Sequence, residues 1–100
     1  MKVYKDKALT KEITAKTLEL GIVPAGESRK FEFYIHNNTK AWIRELQFKV
    51  EHAEVRVMDA PTELESAQTG VLVLEWSPSV TLKEGLRAGI SVEGIELWRG

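Results

Sequence analysis

Leu18-Glu19-Leu20-Gly21-Ile22-Val23-Pro24-Ala25-Gly26-Glu27-Ser28-Arg29-Lys30-Phe31-Glu32-Phe33-Tyr34-Ile35-His36-Asn37-Asn38-Thr39 is the stretch that decides the fold. It opens as a short strand. Gly21 and Gly26 then bracket a turn around Pro24, where glycine supplies positive φ and proline cannot donate to a ladder. Phe31, Phe33 and Ile35 alternate with Glu32, Tyr34 and His36, the period-two pattern of a half-buried antiparallel strand. Asn37-Asn38-Thr39-Lys40 closes the unit as a second turn, because asparagine tolerates left-handed backbone angles.

The same grammar extends in both directions. Upstream, Ile13, Ala15, Leu18 and Leu20 belong to the start of a sandwich, with a slip in alternation between Ala15 and Leu18 that predicts a bulge or bend. Downstream, Ile43, Leu46, Phe48 and Val50 alternate with Glu45, Gln47, Lys49 and Glu51, and Val55 and Val57 resume the pattern after His52-Ala53. Residues 62–69 are polar around one inward anchor, Leu64. Val71-Leu72-Val73-Leu74-Glu75-Trp76 is apolar on both faces and predicts a central strand with Trp76 in the core. Leu86, Ala88, Ile90 and Val92 form the last alternation, with a break or bulge expected at Gly94 before Ile95, Leu97 and Trp98.

About seven short strands at roughly ten-residue spacing, with no sustained helical period, predict an all-β fold. The expected architecture is a single immunoglobulin-like antiparallel β-sandwich over residues 13–100, preceded by an N-terminal arm or edge strand over residues 1–12. One hundred residues allow one domain with one thin two-layer core. The absence of cysteine excludes a disulfide framework and a cysteine-based zinc site, and fits a reducing compartment or a particle assembled in one. No apolar h-region follows the N-terminal charges, and no apolar run approaches a membrane span. Met1 heads the chain, which leads to the expectation of a complete small protein.

The formal net charge is −1, so there is no global basic field to attract nucleic acid. The distribution is uneven. Residues 1–16 carry five lysines against Asp6 and Glu12, a basic segment ahead of an acidic body. Such a segment is suited to docking on an acidic neighbour.

Residues that carry chemistry are sparse. His52 and Glu54 can share a strand face, with His36 joining only if the strands pair suitably, too few ligands for an expected metal. The serines lack an elbow motif, and the many glutamates fall on the polar sides of strands rather than across a cleft. Glu75 lies on the Val71 and Val73 face, where burial would demand a partner such as Arg29, Arg44 or Arg87. Asn37-Asn38-Thr39 matches a glycosylation sequon, but without a secretory signal the turn reading prevails. No cofactor and no small-molecule substrate are expected. Trp42 and Trp98 stand where exposure is expected, and tryptophan is enriched at binding hot spots. The expected protein-binding residues are therefore Lys2, Tyr4, Lys5, Lys7 and Lys11 of the basic segment, with Trp42 and Trp98.

Leu20-Gly21-x-Val23-x-x-Gly26 ahead of the Phe31–Ile35 strand, the Asn37-Asn38 turn, and Leu74-Glu75-Trp76-Ser77-Pro78 before the Leu86–Val92 strand together resemble the immunoglobulin-like family related to major sperm protein and to ciliary and spindle-associated domains of that type. The likeness covers residues 17–98. It implies a binding or scaffolding function and transfers no catalytic residue. In size and organisation the chain is also similar to the small immunoglobulin-like proteins of tailed bacteriophage particles. The resulting expectation is a non-enzymatic virion component that decorates a capsid or tail, is assembled in the host cytoplasm, and has a major capsid or other virion protein as partner. An intracellular, cytoplasmic adaptor that binds a protein by an edge strand is the alternative. A small enzyme or a carbohydrate-binding module is the weakest reading, since a sugar platform would have only Tyr34, Trp42 and Trp98 to draw on.

Overall fold

The computed structural model describes residues 1–98. Its strands are β1 (Lys2–Tyr4), β2 (Glu12–Ile13), β3 (Thr17–Gly21), β4 (Arg29–His36), β5 (Ala41–Glu51), β6 (Val55–Asp59), β7 (Thr69–Trp76) and β8 (Leu86–Trp98). They form a five-stranded sheet in the order β2-β1-β4-β7-β6 and a three-stranded sheet in the order β3-β8-β5. Every strand pair among the described residues is antiparallel. The all-β expectation holds, with one strand more than the sequence pattern suggested.

Alternation explains the layering. In β4 and β7, Phe33 pairs with Leu72 and Phe31 with Leu74, and these side chains turn inward. Leu18 and Leu20 of β3, Ile43 and Leu46 of β5, and Leu86 and Ala88 of β8 meet them from the other sheet in one buried cluster. Trp76 and Leu64 join that cluster, as their patterns predict. Phe48, Ile90 and Val92 pack against its margin.

Three local predictions take a different form in three dimensions. The slip between Ala15 and Leu18 is a change of sheet: the chain leaves the five-stranded sheet at Ile13 and enters the three-stranded sheet at Thr17. Gly94 does not interrupt β8, which runs unbroken from Leu86 to Trp98. The expected bulge does occur at this level, but the extra residue is in β5: register shifts between Arg44 and Gln47, so Glu45 and Leu46 together oppose Gly94, and Glu45 adopts φ of 51°. Glycine is required at 94 because a Cβ there would lie 2.9 Å from both Ile43 Cγ2 and Leu46 Cδ2. Residues 1–12, expected as an arm or edge strand, carry β1 and the start of β2, which pair as a hairpin that includes Ile13, and β1 adds to β4 through Val3 opposite Ile35 and Tyr4 opposite Tyr34.

Asn37 is fully buried, yet polar. Its Nδ2 donates to the carbonyls of Ala41 (2.8 Å), Leu64 (3.0 Å) and Glu65 (3.1 Å). Its Oδ1 accepts from the Thr39 N–H (3.0 Å) and Oγ1 (2.6 Å). One side chain thus ties the β4–β5 turn to the 62–68 loop, and the burial of a polar group is offset by a full set of partners. The same burial closes the sequon, because its acceptor nitrogen is inaccessible in the folded chain.

Candidate functional site

The inner and outer faces of the three-stranded sheet diverge along β8. Ala41 and Ile43 of β5 are buried on the inner face. Trp42 and Arg44, one residue out of phase, turn outward. Register places Trp42 opposite Leu97 and Arg44 opposite Ile95, so these four side chains share the outer face at one end of the β5–β8 pair. The Arg44 guanidinium lies over the Trp42 ring, 4.5 Å from its centroid, a cation–π contact that holds both groups in place. Ile95 is 51% exposed and Leu97 40% exposed. Arg44, Glu45, Ile95 and Leu97 line a shallow depression of 250 Å³.

Trp98 ends β8 on the opposite face, paired with Ala41, and is 65% exposed. Ala41 beside it is fully buried, so the core ends between the two. Trp42 and Trp98 therefore mark the same end of the sandwich but do not form one surface.

β8 also has a bare edge. β3 accompanies it only over Leu86–Gly89, and the last bond on that side runs from the Ile90 N–H to the Lys16 carbonyl at 3.0 Å. Among the described residues no strand pairs with that side of β8 from Ser91 to Trp98, whereas β5 continues along its other side to Trp98. Beside this edge, beneath β1 and β2, lies a groove of 510 Å³. Val3, Ile13, Ile90 and Val92 give it apolar walls, and Lys2, Glu12 and Lys16 stand at its rim.

Lys5, Lys7 and Lys11 of the basic segment lie elsewhere, in the β1–β2 loop. Asp6 accepts the backbone N–H groups of Thr10 and Lys11 and the Thr10 hydroxyl, ordering the β1–β2 loop. Hydrogen bonds from the Thr10 side chain and from the two backbone amides hold the Asp6 carboxyl below its ordinary pKa, against a weaker opposing effect of desolvation. The loop presents Lys5, Lys7 and Lys11 to solvent, and Lys5 borders a cleft with Gly21 and Leu86 at the start of β8. Lys2 pairs with Glu12 at 3.5 Å, and Tyr4 lies half-buried beside Tyr34 on the outer face of the five-stranded sheet. The seven expected contact residues thus share no single surface: Lys5, Lys7 and Lys11 lie in the β1–β2 loop, Lys2 at the groove, Tyr4 on the five-stranded sheet, and Trp42 and Trp98 at the C-terminal end of β8.

Other candidates resolve into structural roles. His36 Nδ1 lies 2.9 Å from Thr69 Oγ1, and His52 Nδ1 accepts the Glu54 N–H at 3.2 Å. These histidines flank opposite ends of β5, and no cluster of three metal-ligating side chains occurs among the described residues. Glu54 Oε2 accepts the Ser79 N–H at 2.9 Å, and hydrogen bonding to the Ser79 side chain and backbone lowers its pKa. Glu75 pairs with Arg56 at 2.7 Å rather than with Arg29, Arg44 or Arg87, because β6 lies beside β7 and sets Arg56 directly opposite. Sequence reasoning missed Arg44, Ile95 and Leu97. The signal for them was present: Ile95 and Leu97 fall out of phase with the inward Ala88–Ile90–Val92 series.

Comparison of the chain with protein-family models, with curated proteins and with solved structures found no match.

Proposed function

We propose that the chain is a non-enzymatic structural protein that docks on a partner protein through the outer face formed by Trp42, Arg44, Ile95 and Leu97. The observation that carries this reading is the coincidence of two exposed aliphatic side chains, Ile95 and Leu97, with Arg44 in one depression, the arginine stacked on the half-buried Trp42 beside it. Trp and Arg are the side chains that dominate binding hot spots, and an apolar centre with a polar rim is the usual anatomy of an interface. The partner class favoured is a repeating lattice, as in decoration of a bacteriophage capsid or tail. The exposed Lys5, Lys7 and Lys11 loop at the far end of β8 supplies a second, electrostatic contact, and many copies on a lattice make weak contacts effective.

The bare edge of β8 favours a second reading, a cytoplasmic adaptor that adds a partner's strand to its sheet. Co-sedimentation with particles from the source organism separates the two. Decoration predicts saturable, stoichiometric pelleting that Arg44→Glu abolishes and that simultaneous reversal of the Lys5, Lys7 and Lys11 charges weakens in a salt-dependent way. A chain that stays in the supernatant and recovers one discrete soluble partner rejects decoration and supports the adaptor.

A further inference from the structure

We propose that two copies of this chain pair antiparallel through their β8 edges, with the two-fold axis at Ile95. The inference concerns the strand edge; it shares Ile95 with the proposed docking face and otherwise stands apart from which partner covers that face.

The backbone identifies the free groups. The Ile90 N–H points toward the β3 side, where it meets the Lys16 carbonyl. Strand alternation then directs the backbone groups of Val92, Gly94 and Glu96 to the same, unpaired side. An exposed edge of this kind is a template for another strand, and neither proline nor lysine guards it between Ser91 and Trp98.

Charge and register select the pairing. In an antiparallel pair, residues that face each other must both point toward the partner strand or both point away. A two-fold axis between identical strands therefore falls on a residue. Centring it on Glu93 or Glu96 sets two carboxylates directly opposite, which is destabilising. Centring it on Gly94 sets Trp98 against Ile90, whose N–H is already bonded. Centring it on Ile95 opposes Ile95 with itself, Gly94 with Glu96, Glu93 with Leu97 and Val92 with Trp98. This register spans Val92 to Trp98 and opposes no like charges.

The side chains fit the same register. Trp98 lies on the inner face and pairs with Val92 of the other copy, at the wall of the 510 Å³ groove that Val3, Ile13 and Ile90 also line. That volume falls within the range of ~300–1,000 Å³ typical of small-ligand pockets, so it has room for an indole. Each copy thereby places its most exposed aromatic side chain in the other's groove. On the outer face the two Ile95 side chains meet, and the two depressions lined by Arg44 and Leu97 become a bivalent surface.

The test uses the full chain in analytical ultracentrifugation from low to high micromolar concentration. The wild type should approach twice its 11.3 kDa monomer mass. Ile95→Lys and Ile95→Glu should each remain monomeric through like charges on the axis. Their equimolar mixture should recover the dimer. Ile95 is half exposed, so both variants should fold, which circular dichroism checks. Trp98→Ala removes a hot-spot side chain from each copy and should weaken the dimer about 1,000-fold, about 30-fold for each. A wild type that stays monomeric throughout overturns the proposal. So does a dimer unaffected by either charged variant, or a charge-swapped mixture that fails to associate. Arg44→Glu should leave the dimer intact, so loss of lattice docking and loss of dimerisation can be told apart.

Discussion

Replacing Asn37 tests how the β4–β5 turn and the 62–68 loop are held together. In Asn37→Ala the Leu64 carbonyl keeps the Ile43 N–H at 2.9 Å, and the Glu65 carbonyl keeps the Gln68 N–H at 3.1 Å. The loss therefore falls mainly on the Thr39 N–H, which loses its partner at 3.0 Å, and on the Ala41 carbonyl, which loses its bond at 2.8 Å and keeps only the Thr39 hydroxyl at 3.5 Å. At ~1–3 kcal/mol for each buried group left unsatisfied, partly relieved by water entering the turn, the expected destabilisation is about 2–4 kcal/mol. Asn37→Asp keeps the acceptor for Thr39 but sets a carboxylate against three carbonyls in a fully buried site. Its cost at neutral pH should reach ~3–5 kcal/mol, the range for an uncompensated buried charge. Burial raises the pKa of that carboxyl in the folded state above its unfolded value of about 3.9. The deficit relative to wild type should accordingly be smallest in acid and grow as pH rises. Urea denaturation of wild type and both variants from pH 3 to 7 measures this. A loss below about 0.5 kcal/mol for Asn37→Ala, within the range of ordinary surface changes, refutes the bridging role. A pH-independent Asp deficit refutes the electrostatic argument.

Other substitutions probe separate links. Gly94→Ala drives a methyl against Ile43 and Leu46 and should cost ~1–3 kcal/mol in chemical denaturation. Leu64→Ala empties a core position and should cost ~2–5 kcal/mol by the same assay. Arg56→Ala should cost no more than ~1 kcal/mol, because Arg56 is largely exposed, and a double-mutant cycle with Glu75→Gln reads the pair directly. Asp6 and Glu54 have lowered folded pKa values, so their stabilisation is present above the unfolded carboxyl pKa and lost as pH falls through the folded value. Asp6→Asn and Glu54→Gln should each flatten the acid limb of a stability–pH profile.

Local patterning carried most of the architecture into the sequence. Phe33 and Ile35 declare their burial through alternation, Leu64 as the one large apolar side chain in a polar loop, and Trp76 as the end of a central strand; that Leu72 and Leu74 rather than Val71 face the core is hidden by a run apolar on both faces. What the sequence concealed depends on long-range pairing. The slip before Leu18 is a change of sheet, and a bulge gives the same signal because both shift the phase of alternation. Arg56 becomes the partner of Glu75 only once β6 is known to lie beside β7. Asn37 looks like any turn asparagine until the 62–68 loop folds back over it. The site was half legible: Trp42 and Trp98 stand out by residue type, but their placement on opposite faces follows from strand register. The bare edge of β8 follows from β3 being short and the chain crossing between sheets at residues 14–16.

Hydrogen exchange on the chain bound to particles from its source, compared with the free chain, tests the proposed docking face most directly. Added protection should concentrate at residues 41–44 and 95–97. Protection centred instead on the outer face of the five-stranded sheet, with no change along β5 and β8, contradicts the account.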